Sequence, residues 1–105
     1  MHIQVVNFNL RDMSDADFRL ACDGWAPAFV QVPGLISKVW LADEPTNTYG
    51  GIYTWVDRQA MEAFSRSDLF HSVATNPSFV NIVSRDFGVL EGPGRVTREL
   101  AAVAA

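Results

Sequence analysis

Aromatic side chains with a few polar partners are the part of this sequence that could do chemistry. Tyr53 and Trp55 alternate along a strand-like stretch, whose period of two puts both on one face. Trp40 and Asn7 come from two other strand-like stretches, and His71 comes from a helix-like one. Such a mixture is the usual make-up of a small-molecule site. We therefore expect these five residues to line or border one ligand pocket.

The polar members of this set have expected roles in catalysis. Histidine changes its charge near neutral pH, so His71 is the expected proton acceptor. Asn7 and Trp55 would orient a substrate and hold developing negative charge. Each role has a structural alternative, because a lone histidine is commonly a surface or interface residue and a strand tryptophan commonly packs a core.

Two cations lie inside strand-like stretches, Lys38 and Arg85. Either could bind an anionic substrate or form an ion pair with a carboxylate across a subunit interface. For Lys38 we favour the ion pair, because a buried unpaired ammonium would be costly. Both are kept as candidate substrate-binding residues.

The elements that position these residues follow from periodicity and punctuation. A first helix is predicted after the cap at Ser14, and a second after the cap at Asp57, with a local break near Ser67 and an end at Asn76 and Pro77. Strands are predicted at residues 2–10, 35–42, 52–56 and 79–91.

This order, β-α-β-β-α-β, predicts an α+β ferredoxin-like fold in which a four-stranded antiparallel sheet carries both helices on one face. The other face of the sheet would be uncovered, although the strands carry apolar residues on both of their faces. We therefore expect a two-fold homodimer, a dimeric α+β barrel, with the arm from Gly92 to Arg98 reaching the partner.

Composition narrows the function classes. A chain of 105 residues that is 49% hydrophobic suits a single domain spanning residues 1–105. The formal net charge is -4 and the basic residues are scattered, which argues against nucleic acid as a partner. No apolar run approaches a membrane span and no leader is evident, so a cytoplasmic location is expected. Cys22 fits a small buried hydrophobe, and no ligand cluster predicts a metal site.

Three stretches carry a family resemblance: VPGLISKVW, YGGIYTWVDRQAMEAF and SRDFGVLEGPGRVTR. They resemble the YdhR-like monooxygenases of the dimeric α+β barrel superfamily, which also holds antibiotic-biosynthesis monooxygenases. The resemblance covers nearly the whole chain. It implies a cofactor-independent monooxygenase that uses molecular oxygen on a small aromatic or polyketide-like substrate.

The resemblance also implies site residues. In related oxygenases that oxidise polycyclic phenols to quinones, a Trp matching Trp55 works with a polar residue four positions earlier and a Tyr on the next helix, where this chain has Gly51 and Met61. In related haem-degrading oxygenases, Asn7 would match an Asn, but Phe64 and Ala74 stand at the aromatic and His positions. We expect Phe64 to contact substrate and expect no haem or other cofactor.

Two other functions stay open. The same apolar cavity would suit an isomerase, cyclase or decarboxylase that uses a general acid or base without oxygen. The protein could also be a non-catalytic dimeric binding protein whose aromatic residues all belong to the core.

Overall fold

The computed structural model describes residues 1–98. The strands form one antiparallel sheet in the order β2-β3-β1-β4. In chain order the elements are β1 (His2–Leu10), α1 (Asp15–Val30), β2 (Leu35–Asp43), β3 (Thr48–Trp55), α2 (Arg58–Ser65), α3 (Asp68–Ala74), β4 (Phe79–Gly88) and α4 (Glu91–Thr97). This is the predicted α+β ferredoxin-like fold.

Caps decide where the helices begin. The Ser14 hydroxyl accepts a hydrogen bond from the backbone N–H of Asp17 at the start of α1. The predicted break in the second helix is confirmed, because α2 ends at Ser65 and a new cap follows. There the Ser67 hydroxyl accepts from the backbone N–H of Phe70 and starts α3.

Two strand boundaries differ from the prediction by more than one residue. β3 begins before its two glycines rather than after them, because Gly50 (φ 147°) pairs closely with β1, and a Cβ built there would lie 1.8 Å from the Val6 carbonyl oxygen. β4 ends at Gly88, and α4 forms where the end of that strand and the start of the arm were expected. The Glu91 carboxylate in α4 accepts a hydrogen bond from the amino group of Met1.

Strand alternation divides the sheet into two faces. The helix-covered face holds the core, to which β1 contributes Gln4, Val6, Phe8 and Leu10. The open face carries the opposite parity, and its exposed apolar side chains include Val39, Val83 and Phe87 at 54%, 49% and 55% exposure. Across residues 1–98, no helix is long and apolar enough to cross a membrane.

Candidate functional site

The pairing of β2 with β3 brings Lys38 opposite Tyr53 and Trp40 opposite Gly51. All four lie on the helix-covered face, where Phe29 of α1 packs down on them. The Lys38 Nζ lies 3.5 Å from the centroid of the Phe29 ring, 3.4 Å from that of Trp40 and 4.8 Å from that of Tyr53. We call Lys38 and these three rings the Lys38 ring box.

Gly51 provides the space for this lysine. A Cβ built on Gly51 would lie 3.0 Å from Lys38 Cε and 3.2 Å from the carbonyl oxygen of Val39, tighter than ordinary packing allows. The position that carries a polar side chain in the quinone-forming oxygenases is thus a glycine here. A lysine from the neighbouring strand fills the space beside it.

The expected ion pair of Lys38 across a subunit interface stays a prediction, and the position of Lys38 on the helix-covered face does not favour it. None of the ion pairs within residues 1–98 includes Lys38. Burial lowers the pKa of the Lys38 ammonium from 10.5 to about 7, and the nearby Cys22 thiol opposes this only weakly. Aromatic rings stabilise the cation in place of a carboxylate.

Lys38 lines two of the spaces around the ring box, a small cavity and an open groove. The cavity, of about 20 Å³, holds no more than a water molecule and is lined by Lys38 and the rings around it. On the outer side lies a groove of about 330 Å³ between α1 and β2, large enough for a small ring system. We call it the Ile36 groove, and its lining residues are Ala26, Phe29, Val30, Leu35, Ile36, Ser37, Lys38 and Trp40.

Two further grooves differ in chemistry. One of about 340 Å³ lies farther along α1 and β2, where Arg19, Cys22 and Asp23 line it together with Trp40. The other, of about 360 Å³, lies between α1 and α2, is lined in part by the buried Phe64 and contains no titratable side chain among its lining residues. Of these three grooves, the Ile36 groove is the one in which an amine lies beside mostly apolar side chains, so it is the candidate site.

Trp55 lies behind the ring box rather than in a groove. It is fully buried, stacks on Tyr53 with ring centroids 5.9 Å apart and packs on Phe64 at 5.2 Å. Its indole N–H donates to Gln4 Oε1 at 3.2 Å, and Gln4 Nε2 donates to the Ser84 hydroxyl at 3.0 Å. Gln4 was missed from the sequence, although a glutamine at a buried parity of a strand is a usable signal, because a buried amide needs partners.

Three expected site residues lie away from this pocket. Asn7 pairs with Gly50 and Arg85 with Val5, which places both on the open face. His71 is exposed on α3, whose inward side is formed by the neighbouring apolar residues. The expectation that Asn7 and His71 border the same pocket as Trp55 is therefore corrected, and a part for either in catalysis stays a prediction that this placement does not favour.

A histidine and a carboxylate meet at the far end of the sheet. His2 Nε2 lies 2.6 Å from Asp86 Oδ2, where the last part of β4 extends beyond the helices.

In the part of the chain that the structure describes, no group of three or more His, Cys, Asp or Glu side chains comes together in a way that could hold a metal ion.

Known structures share this fold. SnoaB, a cofactor-independent oxygenase from Streptomyces nogalater, is 22% identical with a TM-score of 0.65, over 85% of this chain and 93% of that chain. A variant of MhuD with two manganese protoporphyrin IX molecules bound per active site is 15% identical with a TM-score of 0.69, over 86% and 95%. A protein described as an antibiotic biosynthesis monooxygenase is 12% identical with a TM-score of 0.68, over 86% and 99%. At these identities the likeness concerns the fold.

Sequence comparison is more specific. No curated protein matches the chain. The model of one protein family, described as "Putative mono-oxygenase ydhR", matches residues 3–99, which is almost the whole sequence. This match shows that the chain belongs to the ydhR mono-oxygenase family.

Proposed function

We propose that the protein is a cofactor-independent monooxygenase that oxidises a small hydroxylated aromatic or polyketide-like compound with molecular oxygen. Family membership supports the reaction class, and a cofactor-independent oxygenase shares the fold. The observation that carries the substrate class is the Ile36 groove, where apolar walls and one amine suit a flat ring with an acidic hydroxyl.

The chemistry needs little from the protein beyond binding and charge stabilisation. An aryl alcohol that loses its proton becomes an electron-rich aryloxide able to reduce oxygen. In the overall reaction, the ring gains an oxygen atom and becomes a quinone while the second oxygen atom leaves as water. Lys38 would hold the negative charge of the aryloxide, and Phe29 and Trp40 would hold the ring. Tyr53, Trp55 and Phe64 support these walls from behind.

We also propose that the protein works as a homodimer, in which a second copy covers the open face. That face exposes Val39, Val83 and Phe87 to solvent, and their exposed apolar area suits a self-complementary two-fold contact. Asn7 and Arg85 would then lie at the subunit interface, while the Ile36 groove stays on the far side of the sheet. A cytoplasmic location stays a prediction.

An oxygen electrode tests the proposed function. Purified protein is mixed with a panel of naphthols and hydroxylated anthracene derivatives, each paired with its methyl ether as the matched control. We expect oxygen uptake with the hydroxyl compounds and none with their methyl ethers. One quinone should form for each oxygen molecule consumed. Turnover that persists without oxygen would instead indicate a non-oxidative enzyme. Binding without any turnover would indicate a binding protein.

A further inference from the structure

We infer that Lys38 is the proton acceptor of the Ile36 groove, where its neutral amine takes the hydroxyl proton of a bound aryl alcohol and the resulting ammonium stays beside the aryloxide. The inference takes its substrate class from the proposed function. It assigns the proton transfer to the lysine in place of the expected His71.

The placement of the amine is the first argument. Among residues 1–98, Lys38 is the only charged side chain that lines the Ile36 groove, and it also lines the small cavity beside it. A ring lying between Ile36 and Trp40 would therefore meet one polar group able to accept a proton. Every buried side-chain nitrogen and oxygen atom within residues 1–98 that is cut off from solvent has a hydrogen-bond partner. Since no partner for the Lys38 amine is found there, its Nζ keeps some contact with solvent.

The ring box is the second argument, because it suits both protonation states of the lysine. Apolar burial favours the neutral amine, which is the form that can accept a proton. Once protonated, the Nζ already lies over the faces of Phe29 and Trp40, which stabilise an ammonium. The ion pair with the aryloxide then forms in surroundings of low polarity, where opposite charges attract strongly.

The groups that face Lys38 leave it free to titrate. From α1 the Cys22 thiol faces it, and from β3 the Tyr53 hydroxyl, and burial raises the pKa of both so that both stay neutral near pH 7. Phe29 and Trp40 do not titrate. Because the pKa of Lys38 is about 7, about half of these side chains are neutral amines at pH 7.

The proposed step is a simple proton transfer. The O–H bond of the aryl alcohol breaks, its electron pair stays on the oxygen, and the proton binds to the lone pair of Nζ. No oxidant is consumed. The ammonium later returns the proton to the reduced oxygen that leaves as water, which restores the amine.

A binding experiment without oxygen separates this step from oxygenation. A naphthol is added anaerobically at pH 8, where free naphthol is mostly protonated, and its absorbance reports whether the bound molecule is ionised. Calorimetry in buffers of different ionisation enthalpy counts the protons released. Wild type should bind ionised naphthol and release almost no proton, because Lys38 takes it up. Naphthol that stays neutral in the wild-type complex, or that does not bind up to its solubility limit, overturns the inference.

Three variants sharpen the test. Lys38→Met should bind naphthol in its neutral form, and Lys38→Arg should bind ionised naphthol while releasing about one proton to the buffer, because guanidinium cannot accept one. Cys22→Ala changes the neighbouring titratable group and should behave as wild type. If wild type released as many protons as Lys38→Arg on binding naphthol, Lys38 would be a cation that only binds the anion. That result would overturn the inference.

Turnover, where present, gives a second measure. The kcat/KM of wild type should fall on the acidic side with a midpoint near pH 7, and Lys38→Met should lower kcat by about 10²- to 10⁴-fold, the usual contribution of a general base. Oxygen uptake with an unchanged pH profile in Lys38→Met would overturn the inference and leave the oxygenase intact. Ionised naphthol on wild type without any oxygen uptake would support the inference and refute the oxygenase.

Discussion

Replacing Lys38 with methionine should stabilise the protein, and the gain should depend on pH. Methionine has a similar length without the charge, so the ring box stays filled and a poorly solvated ammonium disappears. The pKa of Lys38 is lowered from 10.5 in the unfolded chain to about 7 in the fold, which means that the unfolded chain binds the proton more tightly. Lys38 therefore destabilises the fold fully below pH 7, and the effect fades as the pH rises toward 10.5.

The magnitude follows from the same shift. At about 1.4 kcal/mol per pKa unit, the largest penalty is about 5 kcal/mol at low pH. Contact of the amine with solvent makes this an upper limit. Between pH 7 and 8.5 the penalty should shrink by about 1.6 kcal/mol. Above that range the titration of Cys22 in the unfolded chain works in the opposite direction, because burial raises the pKa of its thiol in the fold.

Urea unfolding of both proteins at pH 7, 7.5, 8 and 8.5 measures this directly. The difference in unfolding free energy, Lys38→Met minus wild type, cancels the groups that the two proteins share. It should be positive at pH 7 and decline steadily toward pH 8.5. A difference that is constant across the range would mean that Lys38 keeps its ordinary pKa, and the reasoning about the ring box would be refuted.

Further perturbations test the remaining parts of the account. Gly51→Ala should displace Lys38 from its rings and destabilise the fold by about 1–3 kcal/mol, and an unchanged crystal position of the lysine would contradict this. Phe87→Asp should convert a dimer into a monomer by light scattering, whereas a wild type already monomeric at micromolar concentration would end the dimer proposal. Trp55→Phe should leave the Gln4 amide short of one donor and cost about 1–3 kcal/mol in urea unfolding, while a neutral effect would show that the bond is dispensable. Added haem should show no axially ligated spectrum, and chelators should leave activity unchanged. An axially ligated haem spectrum, or activity lost on chelation, would overturn the expectation of no cofactor.

The order of strands and helices could be predicted because each signal is local. Ser14 and Ser67 cap their helices through hydrogen bonds only three residues long, so the break in the second helix was visible in the sequence. Apolar content could not show which face of β1 packs against the helices, because both faces carry apolar residues. Ile3 and Val5 lie on one face, and Val6 and Phe8 lie on the other. For this reason Asn7 was placed on the wrong face and Gln4 was overlooked.

The candidate site was only half predictable for a different reason. Alternation alone placed Lys38 and Trp40 together, and Tyr53 with Trp55. The environment of the lysine depends on Phe29, which comes from another element and covers it only after α1 has packed on the sheet. The choice between an ion pair and a ring box therefore rested on a tertiary contact that has no signal in the local sequence.

A crystal structure of the protein prepared anaerobically with a bound naphthol tests the central claim most directly. The account predicts the naphthol ring in the Ile36 groove between Ile36 and Trp40, with its oxygen about 3 Å from Lys38 Nζ. A ring bound instead between α1 and α2 or on the open face, with Lys38 still enclosed by Phe29, Trp40 and Tyr53, would contradict it.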